Sequence, residues 1–272
     1  MSETMKGFAD VQNGQLYYEM AGAGPPLVLI HAGIADSRMW DEQWLVFAKY
    51  FRVVRFDIRG YGQSEMPPNT SFAAHEDVRD LLNFLGIQQT CILGISMGGS
   101  VALNFSLTYP QMAKALIVVA MGLGGRSYKL SKEDQIDAAF ERGDIAQAVE
   151  LELQTWVDGP KRQPDQVDPQ VRERVRELNF FNSSKVEPSN VKVIRLDPPA
   201  AARLSEIGVP TLVIAGEYDV AEVNVTCDIV AAGIRGARKV MMPGVAHMLT
   251  LEQPAQFNAL VLDFLHVLPK LS

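Results

Sequence analysis

The tightest constraint on this chain is a recurring set of short, wholly apolar runs set apart by stretches long enough for a helix. Leu27-Val28-Leu29-Ile30, Ala115-Leu116-Ile117-Val118-Val119-Ala120 and Leu212-Val213-Ile214-Ala215 show no alternation of apolar with polar residues. A strand of that kind has no face to give to water, so it must be covered on both sides. Segments 51–56, 90–95 and 239–242 extend the series. Strands alternating with helices predict an α/β fold, a parallel sheet covered by helices on both faces. With 272 residues the chain is long enough to close one large core of this type.

The two ends and one internal stretch depart from the alternation. Segment 8–20 reads as two short strands around Asn13-Gly14, a hairpin turn signal. The closing helix carries Phe257, Leu260, Val261, Phe264, Leu265 and Leu268 at three- and four-residue steps, a face made to dock on a sheet. Between Gly122 and Leu204 the alternation stops. Helices are expected there over 131–142, 144–157 and 169–181, with a shorter one over 188–196. Ser131-Lys132-Glu133-Asp134 offers a capping-box-like start, and a proline-rich loop over 158–164 divides the helices. The expected organisation is a core formed by 1–121 and 205–272, with 122–204 inserted between two core strands as a helical cap or lid.

Charge and cysteine content narrow the partners. A net charge of −7 without a basic patch argues against nucleic acid. No apolar run approaches membrane-spanning length, and Met1-Ser2-Glu3-Thr4-Met5-Lys6-Gly7 has no apolar h-region. Cys91 and Cys227 sit in apolar surroundings without metal-ligand spacing, so two reduced, buried thiols and a cytoplasmic setting are expected.

Ligands of open parallel sheets bind beyond the carboxyl ends of the strands. His31, Asp57, Ser96, Met121 and Asp219 each lie just beyond an expected strand, and His247 follows the last strand across Pro243-Gly244-Val245-Ala246. Ser96 stands in Gly94-Ile95-Ser96-Met97-Gly98, a G-x-S-x-G between an apolar run and a helix that can continue to Pro110. A sharp strand-to-helix turn pushes the serine clear of the backbone, and glycine at 94 and 98 lets the arms of the turn approach. A serine hydroxyl needs a base to act as a nucleophile. His75 begins a polar helix and is expected to be exposed, and His266 lies on the last helix as a surface or packing residue. His31 ends a buried strand, where it could anchor the adjoining loop. His247, in a loop over the strand ends, is the preferred base.

Asp219 lies 28 residues before His247 and is the preferred carboxylate to orient it, with Glu217 as competitor. The plainer reading of Asp219 is a turn residue capping a helix over 223–232. An oxyanion would need backbone donors, for which Met97 N–H and Gly33 N–H are the candidates. Met97, Met121 and Leu123, with Trp156, Phe180 or Phe181 from the inserted segment, are expected to line a pocket for an apolar acyl group of modest size. For these aromatic residues ordinary packing is an equal alternative.

Taken together, His31-Ala32-Gly33, Asp57-Ile58-Arg59-Gly60-Tyr61-Gly62-Gln63-Ser64, Gly94-Ile95-Ser96-Met97-Gly98-Gly99, Gly216-Glu217-Tyr218-Asp219 and Ala246-His247-Met248 resemble the α/β-hydrolase superfamily over nearly the whole chain. The order Ser, Asp, His is the family's order. The resemblance implies an eight-stranded, mostly parallel sheet with a helical cap and no metal or organic cofactor. It implies a serine hydrolase of small to medium carboxylic esters or lactones, acting as monomer or homodimer on a small molecule. Ala32 departs from the glycine common after the histidine. Asp57 and Arg59 match a loop that in relatives holds the shape of the site. A serine at 96 disfavours branches with a carboxylate nucleophile, the haloalkane dehalogenases and epoxide hydrolases. A C–C bond hydrolase, a cofactor-free perhydrolase and a non-catalytic ligand-binding receptor remain alternatives on the same pattern.

Overall fold

The computed structural model describes residues 4–127, 129–185 and 188–268. Among them, eight strands form one sheet: β1 (Met5–Val11), β2 (Gly14–Ala21), β3 (Pro26–Ile30), β4 (Arg52–Phe56), β5 (Thr90–Ile95), β6 (Ala113–Val119), β7 (Thr211–Gly216) and β8 (Arg238–Met242). Their spatial order is β1-β2-β4-β3-β5-β6-β7-β8. The first two strands form the hairpin, and β2 is antiparallel to β4; the remaining pairs are parallel. Asn13 turns the hairpin at φ 62°, a conformation asparagine tolerates better than most residues. Every residue of β5 and β7 is buried, and after the opening threonine of each the sequence is free of polar side chains.

The helices that cover the sheet are α1 (Asp41–Phe47), α2 (Ala74–Phe84), α3 (Met97–Thr108), α7 (Ala221–Gly233), α8 (Leu249–Glu252) and α9 (Pro254–His266). Helix α3 lies against β5 and β6, α2 lies against α3, and α9 packs on α1. The closing stripe behaves as its spacing requires: Phe257, Val261, Phe264 and Leu265 are buried. Cys91 and Cys227 are both unpaired and buried, and desolvation pushes their thiols up to about 12 and about 11.

Register sets the edge where loops gather. Ile30 lies opposite Gly94, Ile95 opposite Val119, and Val119 opposite Ile214. Gly216 lies opposite Met242. The strands therefore end in step, and the residues that follow them emerge side by side.

Between β6 and β7 come α4 (Glu133–Glu141), α5 (Ile145–Leu153) and α6 (Pro169–Ser183). Helix α4 starts two residues after Ser131, and no side chain caps it at Lys132; Leu130 N–H donates instead to the Glu133 carboxylate, at 3.2 Å. Asp144 caps α5 by accepting from Gln147 N–H, and Asp168 caps α6 by accepting from Gln170 N–H. Glu150 joins the two helices by pairing with Arg172 at 3.0 Å and Arg176 at 2.9 Å. The helix expected over 188–196 does not form in its described residues. Lys192–Val193 instead runs parallel to Ser71–Phe72 as a two-stranded pair, with Lys192 N–H and Ile194 N–H donating to Thr70 O and Phe72 O. His75, expected to be exposed, is buried, and desolvation holds its imidazole below the usual range.

Candidate active site

Ser96 follows β5 directly and is the residue before α3. Its backbone takes φ 56° and ψ −119°, a conformation that a residue with a Cβ adopts only when its surroundings impose it. The surroundings here are two glycines. A Cβ at Gly94 would overlap the carbonyl of Gly98, and a Cβ at Gly98 would overlap the carbonyls of Ile30 and His31. Gly99 is tight as well, since a Cβ there would come within 2.8 Å of Met121 Cβ. Strand β5, helix α3 and the end of β3 thus cross at van der Waals distance, and the serine is forced outward.

His247 lies in the loop between β8 and α8. Its Nδ1 is 2.8 Å from Asp219 Oδ2, and both residues are about 2 % exposed. The other oxygen of Asp219 accepts from Val220 N–H at 2.8 Å, which fixes the plane of the carboxylate. With Nδ1–H donating to Asp219, the neutral ring presents Nε2 as an acceptor. That Nε2 is buried and has no hydrogen-bond partner among the described residues. Glu217, the competing carboxylate, is exposed and accepts from Gly244 N–H at 2.9 Å.

His31 is engaged elsewhere. Its Nδ1 meets Ala32 O at 2.8 Å and its Nε2 accepts from Ile58 N–H at 2.9 Å, so both ring nitrogens hold backbone. Desolvation keeps this imidazole below its ordinary range and hence neutral. Asp57 also serves the loops: its oxygens accept from Ser37 N–H at 2.8 Å and Gln63 N–H at 2.7 Å. Arg59 forms a buried pair with Asp77, 2.7 Å from Nε to Oδ2.

Ser96 and His247 face one cavity of about 230 Å³, whose other walls are Gly33, Ile34, Glu152 and Trp156. Gly33 is next to Met97, for a Cβ at 33 would stand 3.8 Å from Met97 Cβ. Met97 is the first residue of α3, where a backbone N–H has no partner within the helix. Trp156 lies in a single π-helical turn, Gln154–Asp158, that prolongs α5. Its ring is 4.5 Å from the His247 ring, and its carbonyl accepts His247 N–H at 3.2 Å. The loop of His247 is tied a second time through Glu252, whose carboxylate accepts from Ala246 N–H at 2.8 Å and from Arg162 Nη1 at 2.6 Å.

The remaining pocket residues expected from sequence lie elsewhere. Met121 and Leu123 are core residues, 0 % and 4 % exposed, outside the cavity wall. Phe180 and Phe181 are both 47 % exposed, also outside that wall, and Phe181 lies beneath the cations of Arg38 and Lys185. Ile34 and Glu152 line the cavity without having stood out in the sequence. The only signal for Glu152 is that it precedes Trp156 by four residues, one helical turn.

A larger cavity, about 290 Å³, opens at the amino ends of β3 and β5 and is lined by Pro25, Pro26, Cys91 and Lys114 among others. It brings no base to a nucleophile. Among the described residues no group of three or more His, Cys, Asp or Glu is arranged to hold a metal ion, and no helix is long and apolar enough to cross a membrane.

Comparisons with known proteins agree with this architecture. An uncharacterized protein of Mycobacterium bovis is 39% identical over 118 residues, which cover 42% of this chain and only 34% of that protein. The crystal structure of a hydrolase from Pseudomonas aeruginosa PA01 matches 96% of this chain and 98% of its own, with 28% identity and a TM-score of 0.78. The enol-lactonase of Burkholderia xenovorans LB400 has the same fold, with 24% identity, a TM-score of 0.78 and coverage of 96% and 100%. Residues 27–260 match the alpha/beta hydrolase family model, and the chain belongs to the α/β-hydrolase family.

Proposed function

We propose that the protein is a serine hydrolase that cleaves carboxylic esters or lactones of small to medium size through an acyl-enzyme. The observation that carries this reading is that His247 Nε2, which has no partner among the described residues, and the outward-turned Ser96 line one cavity, with Nδ1 2.8 Å from Asp219. In this reading Ser96 Oγ attacks the acyl carbon while His247 Nε2 takes its proton. The carbonyl oxygen gathers negative charge and is held by Gly33 N–H and Met97 N–H, with the positive end of α3 behind them. Collapse of the intermediate breaks the acyl–oxygen bond, and the alkoxide leaves with the proton from His247. Water then gives a proton to His247 as it attacks the acyl carbon, and collapse breaks the acyl–Oγ bond while His247 returns that proton to Ser96 Oγ and the acid leaves.

Asp219 orients the ring and offsets the charge of the imidazolium. Trp156 holds the ring from the other side and keeps bulk water from it. The segment 122–204 acts as the cap in this reading, since α5 and the π-helical turn supply Glu152 and Trp156 to the cavity.

The test is hydrolysis of p-nitrophenyl esters from acetate to longer acyl chains by wild type and Ser96→Ala, with fluorophosphonate labelling of both. Turnover and labelling confined to wild type are expected, and the optimum chain length measures the cavity. Turnover that survives in Ser96→Ala refutes the assignment of the nucleophile.

A further inference from the structure

The cavity beside Ser96 has one carboxyl group in its wall, and among the described residues that group lacks the cationic partner that several nearby acids possess. Asp36 pairs with Arg38, Asp77 with Arg59, Asp158 with Arg172, and Glu252 with Arg162. Glu150, two residues before Glu152 on α5, takes both Arg172 and Arg176. Glu152 is half-buried and pairs with no cation among the described residues. Its Oε2 accepts one hydrogen bond, from Asn179 Nδ2 on α6 at 2.7 Å, and Asn179 Oδ1 in turn accepts from Ser183 Oγ at 3.0 Å. Its Oε1 accepts none from the described residues. Burial pushes the carboxyl above its ordinary range, and the bond from Asn179 pulls the other way.

Holding a carboxyl group in a half-buried wall without a cation is costly. The Asn179 bond explains why one oxygen is oriented, and it leaves the other without a hydrogen bond from the described residues. Glu152 belongs to the wall shared with Ser96 and His247. We propose that Glu152 is a specificity-determining residue whose Oε1 accepts a hydrogen bond from a hydroxyl, amide N–H or ammonium carried by the substrate.

The proposal rests on the ester or lactone hydrolase reading and narrows its substrate class. A plain alkyl group in this cavity would strip water from the carboxyl and return no bond, so the residue rejects alkyl chains as well as selecting donors. An apolar acyl group, the expectation from sequence, is then only part of what the cavity accepts. Ile34 and the Trp156 ring take the carbon chain, and Glu152 reads its polar end. The expected preference for a donor over a methyl group is about tenfold or more, the range for a hydrogen bond to a charged group.

Binding is measured first, by calorimetry with the Ser96→Ala protein, so that the result does not depend on turnover. The ligands are ω-hydroxy and ω-amino carboxylic acids, from 3-hydroxypropionate to 6-hydroxyhexanoate and their amino counterparts, each against the acid that carries methyl in place of the donor. At the best-fitting length the donor acid is expected to bind about tenfold or more tightly relative to its methyl counterpart, and adding Glu152→Leu removes that ratio. Glu152→Gln keeps an acceptor for the hydroxyl and can still bond to Asn179, so it retains the hydroxyl preference and loses any additional preference for ammonium. The p-nitrophenyl esters of 6-hydroxyhexanoate and heptanoate then give the same comparison in kcat/KM. No donor preference at any length, or a preference unchanged by Glu152→Leu, overturns the proposal. Loss of hydrolysis of every ester by wild type would instead strike the hydrolase reading, whatever the binding series shows.

Discussion

Replacing Asp219 by asparagine tests the proposed mechanism with the least disturbance of shape. Asp219 Oδ1 accepts from Val220 N–H and Oδ2 meets His247 Nδ1, both at 2.8 Å. An asparagine that keeps its carbonyl on Val220 N–H turns its NH2 toward Nδ1. The imidazole must then accept at Nδ1 and carry its proton on Nε2, where it can no longer take one from Ser96. The reverse orientation sets NH2 against Val220 N–H, two donors facing each other, at a cost of about 1–3 kcal/mol. Neither orientation supplies a negative charge to the imidazolium that forms as Ser96 attacks. At 2.8 Å and an effective dielectric near 20, that attraction is about 6 kcal/mol. Such a loss corresponds to about four powers of ten in kcat. The assay is p-nitrophenyl acetate turnover at neutral pH, with melting temperature as a control for folding. Glu217→Gln serves as the comparison, because among the described residues its exposed carboxylate bonds only to Gly244 N–H, and its rate should stay within about twofold. An Asp219→Asn protein that folds normally and turns over within tenfold of wild type would refute the reasoning.

Ser96→Gly should abolish turnover and yet raise the melting temperature by about 2–3 °C, because glycine relieves the strain at φ 56°; a lower melting temperature would mean that Ser96 is not strained. Gly94→Ala should cost several kcal/mol in urea unfolding, or prevent folding, because its Cβ overlaps the Gly98 carbonyl. Burial would raise the Asp36 carboxyl, but the bonds from Arg38 and Asn182 outweigh it and hold the group below its ordinary value of 3.8. Its contribution to stability is therefore present above that pH and is lost as pH falls through the depressed value in the folded state. Asp36→Asn should flatten the dependence of unfolding free energy on pH in that acid range, and an unchanged slope would contradict the assignment.

Most of the fold was legible because its signals are local. An apolar run such as Leu27 to Ile30 cannot face water on either side, wherever the rest of the chain goes. Asn13-Gly14 turns a hairpin by its own backbone preference, and the stripe from Phe257 to Leu265 buries one face by its spacing alone. Where competing local signals were close, tertiary pairing decided. Helix α4 formed without the Ser131 capping box, and the segment expected as a helix over 188–196 contributed Lys192–Val193 to a pair with Ser71–Phe72. A pair formed with a partner more than a hundred residues away has no signature in either segment.

The site divides along the same physical boundary. The sequence alone determined that a serine stands on a strand-to-helix turn whose arms can approach through glycine at 94 and 98, because that turn is local; that Gly98 must also clear the Ile30 and His31 carbonyls was decided by tertiary packing. It also placed His31, His247, Asp219 and Glu217 near strand ends, because strand length and direction follow from the apolar pattern. Only the tertiary structure decided which of them meet. His31 has both nitrogens on backbone, Glu217 turns to Gly244, and Asp219 faces His247. Glu150 and Glu152 are alike in sequence, two acids in an amphipathic stretch, yet one pairs with two arginines and the other faces the cavity. Phe180 and Phe181 had the composition of a pocket wall and lie half exposed. Helical periodicity identifies a stripe on a helix. It does not specify what that stripe is packed against, and burial and pairing depend on the packing.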